Sequence, residues 1–197
     1  MLTVLERQKY LKDLGFYKGE LDGMEGPATK AAYKALQEKY FKRKTDIDGK
    51  YGENTEKLLI NAWRVGAYTK NFKVEEFVCE CDGACTGYPA ILDIYLLANL
   101  QTLRDKYGPT TVTSALRCEV ENKKVGGIEK SLHKEGRAVD FRNKNTATLA
   151  LRQQVMSTFK TLPNWRYTYC NVNGNYPNIP TLFKKCWLTN DHPLGES

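Results

Sequence analysis

A nine-residue pattern, apolar-Asp-Gly-x-x-Gly-x-x-Thr, occurs twice with a spacing of 26 residues, and it limits what the first third of the chain can become. The copies are Leu21-Asp22-Gly23-Met24-Glu25-Gly26-Pro27-Ala28-Thr29 and Ile47-Asp48-Gly49-Lys50-Tyr51-Gly52-Glu53-Asn54-Thr55. An Asp-Gly pair favours a tight turn, because glycine reaches positive φ cheaply. Pro27 suits the first turn of a following helix. Apolar residues recur around these turns at helical spacing: Val4, Leu11 and Leu14; then Ala32, Leu36 and Tyr40; then Leu58, Leu59, Ala62 and Trp63. Residues 1–66 are therefore expected to form a small unit of helices separated by two related loops.

The run Leu14-Gly15-Phe16-Tyr17-x-Gly19-x-Leu21-Asp22-Gly23-x-x-Gly26-Pro27-x-Thr29, followed by Asp48-Gly49-x-Tyr51-Gly52-x-x-Thr55, resembles the three-helix peptidoglycan-binding domain of wall hydrolases. The resemblance implies a shallow groove for glycan or peptide beside the Asp-Gly loops, with Tyr17, Asp22, Asp48 and Tyr51 as its candidate residues. The aromatic rings can cover a sugar or stem peptide. The alternative is that Tyr17 and Tyr51 fill the core and the Asp-Gly pairs only shape turns.

Residues 67–73 break the helical pattern and read as a linker, leaving 74–197 as a second unit of ordinary domain size. A helix is expected around 90–107, with Leu92, Leu96, Leu100 and Leu103 on one stripe. Residues 110–116, bounded by Gly108-Pro109, read as a strand, as do 138–142 and 166–172. An amphipathic helix is expected over 146–162. The mixed order predicts an α+β class, a helical unit followed by a small antiparallel sheet with helices packed on it.

Within this second unit, Ser131-Leu132-His133-Lys134-Glu135-Gly136-Arg137-Ala138-Val139-Asp140 carries the chemistry. In one continuous helix His133 and Asp140 would stand roughly 10.5 Å apart along the axis, too far to share a metal ion. They can meet only if the chain turns, and Gly136 provides the place. Together with Val112-Thr113-Ser114-Ala115-Leu116-Arg117 and Asn122-x-x-Val125-Gly126-Gly127, the segment resembles the zinc D,D-carboxypeptidase and L-alanyl-D-glutamate endopeptidase family, which trims peptidoglycan stem peptides. The resemblance implies Zn2+ as cofactor, His133 and Asp140 as ligands, Arg117 as the group that holds or polarises a substrate carbonyl or carboxylate, and Ser131 as a hydrogen-bonding support. Members add a second His as third ligand and a carboxylate base, as Glu-x-x-His, His-x-Asp, or Asp-x-x-His followed by an acidic residue. The chain has two histidines, so His192 is the candidate third ligand and the adjacent Asp191 the candidate base. The usual base positions hold Thr189 and Leu194 instead, with Glu196 farther along. Cys170 or Cys186 is an alternative soft ligand.

Six cysteines in 197 residues are too few for a disulfide scaffold. Cys79-x-Cys81-x3-Cys85 could join Cys118 in a structural zinc site, although the spacing matches no common zinc finger. The alternative is small buried thiols with one or two disulfides. The net charge of +7 comes without a nucleic-acid motif, so nucleic acid is not an expected partner. Insertion into a membrane is not expected either, since no apolar run is long enough to span one. The opening residues carry charge from Glu6 onward and lack the apolar stretch of a secretory signal. The expectation is a monomeric phage or prophage endolysin, made in the host cytoplasm without a signal peptide and acting on the wall. The competing expectation is a non-catalytic peptidoglycan-binding protein with a degenerate peptidase domain.

Overall fold

The computed structural model describes residues 1–143, 149–170 and 186–190. The first unit is three helices, α1 (Val4–Asp13), α2 (Pro27–Tyr40) and α3 (Glu53–Tyr68). Thr3 starts α1 with a reciprocal cap: its hydroxyl accepts from the Glu6 N–H while the Glu6 carboxylate accepts from the Thr3 N–H. Pro27 starts α2 at its first turn. The apolar faces of the three helices meet around Leu11, Tyr33, Leu36, Leu58 and Leu59, all fully buried.

The second unit follows with α4 (Ile94–Tyr107), β1 (Thr110–Ser114), α5 (Glu119–Lys124), β2 (Ala138–Asn143), α6 (Leu149–Phe159), β3 (Trp165–Cys170) and β4 (Cys186–Asn190). The four strands form one sheet in the order β1-β2-β4-β3, and every pair is antiparallel. The α+β class expected from the sequence is the one observed. Its fourth strand, β4, was not among the expected ones and completes the sheet beside β2. The Asp93 carboxylate caps α4 through the Leu96 N–H at 2.8 Å. Gly108 ends it at a φ of 86°, with Pro109 preventing continuation. Leu96, Leu97, Leu100 and Leu103 of α4 pack with Val139 and Phe141 of β2 and with Val155 and Phe159 of α6.

The two units share a single apolar core, and α3 belongs to both. Its Asn61 side chain grips the second unit twice, donating to the Ala90 carbonyl at 2.9 Å and accepting from the Leu92 N–H at 2.8 Å. Arg64 adds a bond to the Leu92 carbonyl at 2.7 Å. The segment expected to be a linker is attached along its length. Residues 67 and 68 continue α3, the Thr69 hydroxyl bonds the Val65 carbonyl, the Lys70 N–H bonds the Gln101 side chain, and Phe72 is buried against Phe77. An apolar ring at position 72 with a core beneath it explains why the connection does not swing free.

Candidate metal centre and wall-binding groove

The chain reaches His133 on a 3-10 turn, Leu132–Glu135, that ends at Gly136 with a φ of 72°. A Cβ at Gly136 would come within 2.2 Å of the Ile91 carbonyl oxygen, so only glycine fits both the backbone angle and the space. The turn sends the chain back as β2, and Asp140 sits three residues into that strand. On the other side β1 ends at Ser114, paired with Asp140 across a bulge. The chain then curls so that the Arg117 N–H reaches the His133 carbonyl at 3.1 Å. The reversal at Gly136 and this backbone bond place His133, Asp140, Ser114 and Arg117 together.

The protonation of the imidazole follows from its neighbours. Nδ1 of His133 lies 2.7 Å from the Ala115 carbonyl oxygen, which can only accept. Nδ1 therefore carries a proton, and in the neutral tautomer so fixed the lone pair stands at Nε2. That Nε2 lies 3.3 Å from Oδ1 of Asp140, a buried oxygen with no hydrogen-bond partner among the described residues. The other carboxylate oxygen, Oδ2, accepts from the Arg117 guanidinium at 2.8 Å, whose Nε in turn donates to the Ser114 hydroxyl at 3.0 Å. His133 and Asp140 are 8% and 3% exposed. Two acceptors thus face one another inside the protein, which is costly unless a proton or a cation stands between them.

The residues present fit a zinc ion. Imidazole nitrogen and carboxylate oxygen are ligands it takes, and two such ligands at about 2.0–2.1 Å in a tetrahedron stand about 3.3 Å apart. The Ala115 carbonyl orients the imidazole as the partner of a metal-bound His does, and Arg117 does the same for the carboxylate. Of the other expected site residues, Ser131 is buried at the start of the turn; its carbonyl bonds the Lys134 N–H, and its hydroxyl makes no cap. Asp191 and His192 lie outside the described residues. β4 stops at Asn190 with Thr189 opposite Ala138, at the end of β2 nearest the 3-10 turn.

In the helical unit the two Asp-Gly loops have the same internal wiring, each built around a glutamine. The Gln8 amide donates to Oδ1 of Asp22 at 2.7 Å, to the Met24 carbonyl at 3.0 Å and to the Thr29 hydroxyl at 3.2 Å, and accepts from the Gly23 N–H at 2.9 Å. Gln37 repeats this with Asp48 at 3.1 Å, the Lys50 carbonyl at 3.0 Å, the Thr55 hydroxyl at 2.9 Å and the Gly49 N–H at 2.8 Å. Both glutamines are buried. Their hydrogen bonds, with those from the Met24 and Lys50 N–H groups, hold the Asp22 and Asp48 carboxylates below the usual range. Sequence reading missed these hubs; the available signal was a Gln on the apolar face of each preceding helix.

The second loop borders a groove. A hollow of about 590 Å3 is lined by Glu25, Lys30, Lys34, Asp48, Lys50 and Tyr51, and a second of about 470 Å3 adjoins it at Asp48, Lys50 and Tyr51. The Tyr51 ring lies under the Arg7 guanidinium, 3.8 Å from its centre, and 5.1 Å from Tyr33. Burial raises the Tyr33 phenol to about 12 and that of Tyr51 further. The structure does not bring Tyr17 to this groove. It is 6% exposed, and its hydroxyl donates to the Glu20 carbonyl and accepts from Gln8, which makes it a core residue. Asp22 lies at the other loop and is absent from the lining of either hollow.

With these positions established, comparisons with known proteins match two stretches of the chain. Residues 3–59 match the family model for a peptidoglycan binding domain, and residues 70–167 match the model for Peptidase M15. No match was found among curated proteins.

Proposed function

Because the chain carries a peptidoglycan-binding domain followed by a Peptidase M15 domain, we propose that it is a zinc-dependent peptidase cleaving peptidoglycan stem peptides, held on the wall by its helical unit. The observation that carries the zinc reading is the facing pair of ligand atoms, Nε2 of His133 and Oδ1 of Asp140, 3.3 Å apart, with Oδ1 lacking a hydrogen-bond partner among the described residues. These two atoms would hold the ion, and His192 is the proposed third ligand. Zinc, when bound, supplies a Lewis acid and brings the pKa of a bound water near neutrality.

The remaining work falls to the chain's own groups. The Ala115 carbonyl fixes the His133 tautomer, so the ring keeps its proton on Nδ1 and its lone pair on Nε2. Arg117 commits two of its five N–H donors, to Ser114 and Asp140, and both hold the guanidinium in place. Its other three donors have no partner among the described residues and could meet a substrate carbonyl or carboxylate, whose developing negative charge a guanidinium stabilises. Asp191 is the proposed base that accepts a proton from the attacking water. Asp48, Lys50 and Tyr51 are the proposed wall contacts, supported by the groove they border. A wall-binding unit joined to a stem-peptide peptidase suits a phage or prophage endolysin released from the cytoplasm onto the wall, and that is the biological role we assign.

Mass spectrometry of purified sacculi, incubated with the protein with and without a zinc chelator, tests this reading. New peptide termini that vanish with chelator or with His133→Ala are the expected result, and their masses identify the bond cut. The second reading, a wall-binding protein without catalysis, is favoured by Thr189 and Leu194 at the positions where the family's base stands. Protein that pellets with sacculi and releases no termini would establish it.

A further inference from the structure

A second cluster of ligand atoms lies outside the His133–Asp140 centre. Cys79, Cys81 and Cys85 stand on the loop that follows the 3-10 turn Val74–Phe77, and Cys118 is the residue that opens α5. Their four sulfurs all lie within 4.8 Å of one another, and all four cysteines are free thiols. A tetrahedral zinc ion with bonds of about 2.3 Å needs sulfurs about 3.8 Å apart, so small side-chain adjustments would close such a site. Cys81 and Cys85 are 3.4 Å apart. The compact grouping suits a single ion rather than a multi-iron cluster.

The backbone around the sulfurs is arranged for negative charge. The Cys118 N–H points at Sγ of Cys79 at 3.2 Å, the Cys85 N–H at Sγ of Cys81 at 3.2 Å, and the Gly87 N–H at Sγ of Cys85 at 3.3 Å. A thiol sulfur is a weak acceptor and a thiolate a strong one, so the three N–H groups suit metal-bound thiolates, whereas without an ion the Cys85 thiol pushes Cys79 up and burial pushes Cys118 up. The neck of the loop is closed by the Cys79 N–H on the Gly87 carbonyl at 2.8 Å. Four thiolates and one divalent ion leave a charge of −2, and cations stand nearby. Arg43 reaches the Gly83 carbonyl at 3.2 Å from the helical unit, and Lys124 pairs with Asp82 at 2.9 Å.

We propose that Cys79, Cys81, Cys85 and Cys118 bind one zinc ion as a closed tetrathiolate site with a structural role. With four protein ligands the ion has no open position for a substrate. Its mechanical effect follows from what it joins. The loop 78–87 would be tied to the residue after Arg117, alongside the existing bond from the Leu116 N–H to the Phe77 carbonyl at 3.2 Å. The site thereby positions the backbone from which Arg117 reaches Asp140.

Cobalt substitution of the full chain under reductant tests the proposal without relying on lysis. The wild type and His133→Ala are both expected to bind cobalt with sulfur-to-metal charge transfer in the near ultraviolet and the intense red absorption of a tetrahedral thiolate site. His133→Ala should retain one metal per chain by elemental analysis. Cys170→Ser/Cys186→Ser should keep the bands, and Cys79→Ser/Cys118→Ser should lose them. Should that last variant not fold, titration of wild-type protein with a chelator replaces it: metal release should make four additional thiols reactive. Thiolate bands absent from reduced His133→Ala, bands lost in Cys170→Ser/Cys186→Ser, or Cys79–Cys118 sulfurs found in disulfides would overturn the proposal. A wild type that cuts no sacculi yet shows the bands would sink the peptidase reading and leave this one standing.

Discussion

The glutamine hubs of the helical unit and the His133–Asp140 pair are both buried polar clusters, and they are wired in opposite ways. Around Gln8 and Gln37 the amide nitrogen donates and the amide oxygen accepts, and the polar atoms of each loop meet partners of the opposite kind. Around His133 the neutral ring sets two acceptors face to face, and Asp140 Oδ1 has no hydrogen-bond partner among the described residues. A satisfied network stiffens a loop; an unsatisfied one stores a cost that a ligand can relieve. At Asp140 the unsatisfied atom also faces a second ligand atom, and that pairing marks the candidate site.

The comparison can be broken most decisively at Asp140. Asp140→Asn puts an amide N–H where Oδ1 stands, so it can donate to His133 Nε2 while its oxygen keeps the Arg117 contact. Thermal unfolding should show equal or higher stability, while release of wall peptides falls by at least about 100-fold, since even a lost outer partner of a metal ligand costs 10–100-fold. Lower stability together with intact activity would mean that Oδ1 is not a ligand. Arg117→Lys removes the fork that holds both Ser114 and Asp140, and a drop in turnover of about 10- to 100-fold is expected in the same assay. In the scaffold the effect should fall on stability instead. Gln8→Ala or Gln37→Ala leaves the Gly23 or Gly49 N–H without its partner and should cost about 2–3 kcal/mol in urea unfolding, with metal binding at His133 unchanged.

The smallest effect concerns pH. Asp22 is held below its ordinary value of 3.8 chiefly by Gln8, and Asp48 chiefly by the Lys50 N–H. A depressed carboxylate contributes stability that is complete above the unfolded value, so this contribution should persist to about pH 4 and be lost as pH falls through the depressed values. Asp22→Asn/Asp48→Asn should flatten that part of an acid-unfolding curve. An unchanged curve would mean that the carboxylates are not tied to the hubs.

The sequence was most legible where one residue type has one use. The Asp-Gly pairs announced their turns, and the α4 leucine stripe announced its helix, with the observed start at Ile94 set by the Asp93 cap rather than by apolar spacing. Gly136 was readable because two residues of ligand type stood on either side of it. Less could be read where a side chain has two uses. Tyr17 sits next to a turn and could serve either surface or core; what places it inside is the Glu20 carbonyl three residues on and Gln8 across the fold. The hubs were hidden because glutamine on an apolar face is ambiguous until its partners come from a distant loop. β4 was hidden because Cys186–Asn190 holds too short an apolar stretch to be told from a loop, and its pairing with β2 is wholly long-range.

The double grip of Asn61 on residues 90 and 92, with Arg64 beside it, has a consequence for how such a protein would work on a mesh. The two units share one frame through α3. On the proposed function such a protein would measure distance: with wall seated in the groove at Tyr51, the peptides within reach would be those at one offset and orientation, and every other bond would wait for release and rebinding. A flexible tether would sweep a volume around its anchor at an effective concentration set by its length. A rigid one works as a ruler, and its rate on intact wall should depend on the spacing of the mesh far more than its rate on soluble fragments does.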